Sequence, residues 1–401
     1  MGLLIRNARI VTPAGGPRPR RGAAMRELNV IERGSVLVAD GRIAAVGVRI
    51  EDPGDAEVID ANGRVLLPGL IDCHTQACWA GDPLASWERR LSGASHREIA
   101  SSGGGMEAMI AAVKEETRKQ LAAGLKPRLE ALLREGTTTV EIKSSLARTT
   151  EDELKLLHAI LRAGNEWPGT IVPTTLLGSG AGGGAEEAVR LAVKEMLPEV
   201  AREFPDIAVE AVCEREAWPA EACVRLLEKA RKYHPIRVQT DRFASLGLVP
   251  EALRLGARCI AGLEAATRED LLRIAQEPVV AVVCPCASFE TGRRPARAGF
   301  LVESGGAVAV ATGCNPDTAP TFSLPFALAL AVRGAGLTPA EAITACTVNG
   351  AAALGLRDRG TIEPGARADL VLLRHRDERM LAWELGGNPV DAVICSGRRV
   401  V

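Results

Sequence analysis

The chain has 401 residues, a net charge of −1, 47% apolar and 25% charged residues. That is long enough for a barrel with an accessory domain and ordinary for a soluble globular protein. The near-zero charge gives no electrostatic reason to expect nucleic acid as a partner, and no run of about 18 uncharged apolar residues predicts a membrane span.

Residues 1 to 64 alternate short apolar runs with turn signals, and Asp40-Gly41 and Asn62-Gly63 read as hairpin turns. Within them, residues 12–34 are basic and proline-rich, a composition that reads as a solvated insertion. From 65 to 355 apolar strands alternate with helix patterns punctuated by Ser/Thr/Asp or Pro starts and Gly or Asn stops. The strand candidates are VLLPGLID, TTTVEIKS, GTIVPTTLLG, IAVEAVCE, IRVQTD, ARCIAG, PVVAVVCP and AVAVATGCN. Eight strands with helical crossovers predict a TIM-like (β/α)8 barrel of the α/β class. Residues 356 to 401 return to short β-like runs, so the two chain ends are expected to combine in a small β-sandwich beside the barrel. Ten cysteines scattered without a secreted-domain pattern predict free thiols in a cytoplasmic protein, and MGLLIRNARIV reads as a strand and not a signal peptide.

A polar tip follows the first barrel strand: Asp72, Cys73, His74, Thr75, Gln76. It stops one residue short of His-x-His. PGLIDxHT at this place resembles the amidohydrolase superfamily. RLSGASHREIASSGGGMEAMI, REGTTTVEIKSS, VKEMLPEVA, ATGCNPDTAPT, LTPAEAITACTVNGAAALGL and GTIEPGARADLVLL, in that order along nearly the whole chain, narrow the likeness to the imidazolonepropionase family. The resemblance implies a cyclic-amide hydrolase of histidine breakdown with zinc or iron at the barrel mouth. Such a metal is held by His-x-His after strand one, a histidine after strand five and an aspartate after strand eight, with a further histidine after strand six.

Carried over residue by residue, that set fails at nearly every position. His74 keeps the first ligand, and Gln76 takes the second. The strand-five ligand falls on Gln239, and the glutamate three residues on falls on Arg242. Gly262 stands for the strand-six histidine and Gly313 for the strand-eight aspartate. Substrate-side positions fall at Pro83 or its neighbours, near Leu146 and near Gly180, the last within the glycine-rich run 176–184; Asn315 is kept, and Lys143 and Asp241 remain as substrate-binding candidates. A glutamine offers a neutral amide oxygen, and glycine offers no side chain. Second-sphere changes alone typically cost ~10 to 100-fold in metal affinity or activity, so losing three ligands costs far more.

The other histidines do not replace them. His234 precedes Gln239 by five residues, roughly 16 Å away at the wrong end of its strand. His158 lies in a helix pattern, His96 in a loop-helix segment and His375 in the C-terminal β region. Cys284 and Cys286, taken as the end of strand seven, would share a face and offer thiolates as ligands or a nucleophile. Three readings result. The leading one is a degenerate barrel without metal or metal-dependent hydrolysis that binds a small molecule or regulates a partner. The second is a zinc- or iron-dependent cyclic amidase with unconventional ligands. The third is an enzyme using Cys284 or Cys286. The resemblance also implies a homodimer, or a heterodimer with a paralogue.

Overall fold

The computed structural model describes residues 2–401 apart from 55, 95, 179–184 and 216. Gly180 and the Gly182–Gly184 run therefore lie outside the described residues, as does the side chain of His96.

Eight parallel strands form the barrel sheet in sequential order: β1 Leu70–Asp72, β2 Thr137–Lys143, β3 Thr170–Leu177, β4 Ala208–Cys213, β5 Ile236–Thr240, β6 Cys259–Gly262, β7 Val280–Val283 and β8 Ala307–Val310. All eight predicted strands are present. The register is regular across the later strands, with Gln239 beside Ala261 and Val282 beside Ala309. Alternation sorts the side chains. Cys259, Ala261, Val280, Val282, Ala307 and Ala309 fill the lumen, while Ile260, Ala281, Val283, Val308 and Val310 pack outward on the helix layer. Both faces of each strand are thus buried, which is why the sequence shows near-continuous apolar runs there.

Among the described residues no ladder joins β8 to β1. The seam is held instead by Asp72, whose carboxyl accepts the Thr312 N–H at 3.1 Å and the Thr312 hydroxyl, and by the Gln76 N–H, which donates to the Cys314 carbonyl at 2.7 Å.

The chain ends build one eight-stranded mixed sheet curled around its own core of Leu3, Ile5, Ile10, Val36, Leu66, Leu370 and Ile394. Its central strand, Leu3–Pro13, pairs antiparallel with Leu28–Ala39 and parallel with both Glu57–Asp60 and Val65–Pro68. The expected boundary at 65 therefore moves: Val65–Pro68 belongs to the terminal sheet, and the chain crosses into the barrel at Gly69, where a Cβ would press on the Thr138 side chain. Asp40-Gly41 makes the expected hairpin, both residues in the left-handed region at φ 50° and 74°. Asn62-Gly63 also turns through positive φ, but the strands on either side run end to end along the same neighbour and do not pair with each other.

The 12–34 stretch is not a solvated insertion. Thr12 pairs with Asn29, and residues 28–34 are strand. The short helix Gly22–Arg26 docks on the barrel, with Met25 fully buried, Arg26 donating to Glu341 at 2.7 Å and the Arg20 N–H donating to Asn349 at 2.7 Å. Among the described residues no helix is long and apolar enough to cross a membrane.

Candidate functional site at the barrel mouth

His74 leaves β1 at the C-terminal mouth. It is 4% exposed. Burial, assisted by Lys143, Arg242 and Arg237, pushes its imidazole well below the usual range, so it is neutral at physiological pH. Gln239, on β5, is 5% exposed, and among the described residues its Oε1 has no hydrogen-bond partner. Gln76 is only half-buried, and its backbone is committed to the β8 seam.

The two glycines are not empty places. Gly313 has φ +67°, and a Cβ built there lies 3.0 Å from Cys284 Cβ and 3.3 Å from its Sγ. The space of a strand-eight side chain is thus filled by Cys284. Gly262 has φ +95°, and its Cβ would press on the Thr240 carbonyl oxygen and sit 2.9 Å from Arg242 Cγ. The Thr240 carbonyl and the Arg242 side chain together close that space, and Arg242 is held by its N–H and Nε, which donate to Glu214 Oε1 at 3.2 and 3.1 Å. At each position the lost side chain is matched by a neighbour grown into its volume, on a backbone that only glycine adopts without strain.

The substrate-binding candidates Lys143, Asp241 and Asn315 are taken up structurally. Lys143 is fully buried in the lumen and donates to Glu141 at 2.5 Å and Glu210 at 2.7 Å. Arg237 bonds the other oxygen of Glu141 and donates to Thr174 at 3.0 Å. Two cations and two carboxylates balance here. Burial lowers the Lys143 ammonium, but Glu141 and Glu210 outweigh it and hold the group above its usual range. Asp241, at φ 58°, accepts from Thr240 Oγ1 at 2.9 Å and the Leu246 N–H at 3.1 Å, bracing the loop after β5. Asn315 ties its own turn: it donates to the Gly313 carbonyl at 2.8 Å and accepts the N–H groups of Asp317 at 2.9 Å and Thr318 at 2.7 Å.

The cysteine pair does not share a strand face. β7 ends at Val283, and Pro285 opens the helix Pro285–Glu290 with Cys284 as its N-cap. Cys284 faces the lumen cluster, while Cys286 sits in the layer between barrel and helices. Burial pushes both thiols up, the reverse of what a nucleophile or thiolate ligand needs.

Three other histidines have partners of their own: His234 bonds the Ile207 carbonyl at 3.0 Å, His158 Glu203 at 2.8 Å and His375 Glu384 at 2.8 Å. Leu146 is core, and Pro83 precedes the helix Leu84–Leu91, which Arg90 clasps to Asp317.

The implied zinc or iron does not fit this donor set. Among the described residues no three His, Cys, Asp or Glu side chains stand together as metal ligands. The ligand positions that keep a buried polar side chain offer one imidazole, His74, and one neutral amide, Gln239, where a zinc hydrolase uses three protein ligands. A cavity at the rim of the mouth is lined by Arg242, Glu264, Ser288 and Thr318, and neither His74 nor Gln239 lines it.

Two features were missed from sequence. The lumen charges were visible as Glu141, Lys143, Glu210 and Arg237 interrupting apolar strands, two of them at period two. The Glu214–Arg242 pair carries no such signal, because its members lie on successive loops.

Residues 268–400 match the amidohydrolase family. The chain is 39% identical over 394 residues to an imidazolonepropionase of Deinococcus deserti, covering 98% of each, and 38% identical over 417 residues to one of Herpetosiphon aurantiacus, covering 99% of this chain and 96% of that protein. Solved structures with the same fold include a triazine hydrolase variant, at TM-score 0.76 and 17% identity over 100% of this chain and 94% of that one. Guanine deaminase from C. acetobutylicum, with guanine bound, superposes at TM-score 0.70 and 15% identity over 100% of both chains.

Proposed function

The chain belongs to the imidazolonepropionase family of amidohydrolases, and on that premise we propose that it is a catalytically silent member, without metal-dependent hydrolysis of a cyclic amide. Fold alone does not decide activity, because function lives in the site. The observation that carries the reading is the repacking at Gly313 and Gly262. A site that had merely lost ligands would keep their volumes open. Here Cys284 and Arg242 occupy them.

A further observation supports it. Catalysis in this superfamily by the implied route needs a charged or imidazole donor set with one open position, and the mouth offers neutral His74 and Gln239. The barrel then serves as a scaffold that acts through binding, as a homodimer or together with a paralogue whose own site is intact.

Metal analysis of the purified protein tests the reading. After incubation with zinc, iron or manganese and desalting, the expected content is well below one ion per chain. One tightly held ion per chain would sink it and would favour the hydrolase with unconventional ligands.

A further inference from the structure

The rim of the mouth carries a cationic feature that neither the lumen network nor the ligand positions explain. Phe243 follows Arg242 in the loop after β5 and is 41% exposed. The Arg242 guanidinium lies 5.1 Å from its ring centroid, and that of Arg293, from the loop after the helix Pro285–Glu290, lies 4.6 Å from it. Both arginines line the mouth cavity with Ser288, Thr291 and Thr318.

The donors there are unevenly used. The hydroxyls are satisfied inside the protein: Ser288 donates to Glu264 at 3.2 Å, Thr291 to the Ala287 carbonyl at 2.7 Å, and Thr318 is tied to Asn315. Arg242 spends its Nε on Glu214. Among the described residues neither its two Nη groups nor any guanidinium nitrogen of Arg293 is bonded to an acceptor. Two cations therefore share one aromatic ring and hold their planar forks toward a single opening. Their mutual repulsion is offset by the ring quadrupole and, for Arg242, by one carboxylate. Planar guanidinium donors match the oxygens of a carboxylate or phosphate.

Glu264 lines the same cavity and has an unbonded oxygen, Oε2. Burial holds its carboxyl above the usual range, and Arg242 draws it back down.

We propose that the Phe243 rim, with Arg242 and Arg293 as donors, binds a small oxyanion, a carboxylate or a phosphate group. The inference does not depend on the loss of hydrolysis. It also differs in place from the substrate-side positions expected at Pro83, Leu146 and Gly180, since its donors come from the loops after β5 and β7.

Calorimetric titration of the whole protein with inorganic phosphate, and separately with propionate, tests it at constant ionic strength against chloride. Saturable binding of at least one is expected. Phosphate alone assigns a phosphate site and propionate alone a carboxylate site. Arg293→Gln, at an exposed position, should weaken binding by about 10-fold or more, the loss of a charge-assisted bond pair. Phe243→Leu should weaken it less, by releasing both guanidiniums from the ring. Arg254→Gln, in a separate surface groove lined by Glu228 and Lys232, should leave it unchanged. Absence of saturable binding by either anion, or the same affinity in Arg293→Gln as in the unaltered protein, overturns the proposal.

Discussion

Adding a single methyl group at Gly313 tests whether the strand-eight position is truly closed. Gly313→Ala meets two costs. The backbone sits at φ +67°, where an L-residue is disfavoured by about 1–2 kcal/mol. The new Cβ lies 3.0 Å from Cys284 Cβ, so one strand end must shift, a kind of overpacking that costs about 1–3 kcal/mol. Together the loss is about 2–5 kcal/mol. The tighter contact is with Cys284 Cβ and the looser, 3.3 Å, with its Sγ, so Cys284→Ala relieves only part of the crowding. Cys284→Gly removes both atoms. In that background Gly313→Ala should retain only the backbone cost, giving a coupling of about 1–3 kcal/mol between the two sites. Denaturation in guanidinium chloride, followed by tryptophan fluorescence and by circular dichroism to check that both report one transition, measures the four variants. A loss below about 0.5 kcal/mol for Gly313→Ala, the range of an uninvolved surface change, refutes the repacking, and so do additive effects.

Three other outcomes follow from the buried polar groups. Lys143→Met leaves Glu141 and Glu210 without their shared cation in the lumen and should cost about 3–5 kcal/mol, seen as a lowered thermal midpoint; a change within 1 °C would show that the network is not held as charges. Burial raises Asp72 to about 7 and Glu153 to about 7, so folding favours their protonated forms. Their contribution is complete below the unfolded carboxyl range near pH 4 and is lost as pH rises through about 7, so the thermal midpoint should fall between pH 5 and pH 8. Glu153→Gln, which still accepts from Ser144, should flatten that fall, and an unchanged slope would remove Glu153 from the account. All ten cysteines are free and buried, so iodoacetamide at neutral pH should label almost none in the native protein and all ten after denaturation; selective labelling of Cys284 or Cys286 would restore a thiol-based reading.

The barrel was legible because its strands are buried on both faces, and runs such as VVAVV announce that directly. The terminal sheet was legible from Asp40-Gly41 and from β-like runs at both ends. What failed turned on single residues. Pro285 reads as the first residue of a helix, which ends the seventh strand at Val283 and separates Cys284 from Cys286. Gly69 carries the chain from one sheet to the other inside what reads as one apolar strand. The arm at 20–26 looks solvated because it is basic, yet its arginines bind carbonyls and carboxylates of the barrel. At the mouth, the retained ligand His74 and the substituted positions Gln76, Gln239, Gly262 and Gly313 were readable by likeness alone. Their repacking was not, because it depends on backbone φ and on neighbours some twenty to thirty residues away in sequence.

Turnover of imidazolonepropionate, measured on the purified protein alone and after loading with zinc, iron or manganese, tests the central claim most directly. The repacked mouth predicts no hydrolysis above the uncatalysed rate under any of these conditions. Turnover in the ordinary enzymatic range, ~1 to 1000 per second, would contradict it.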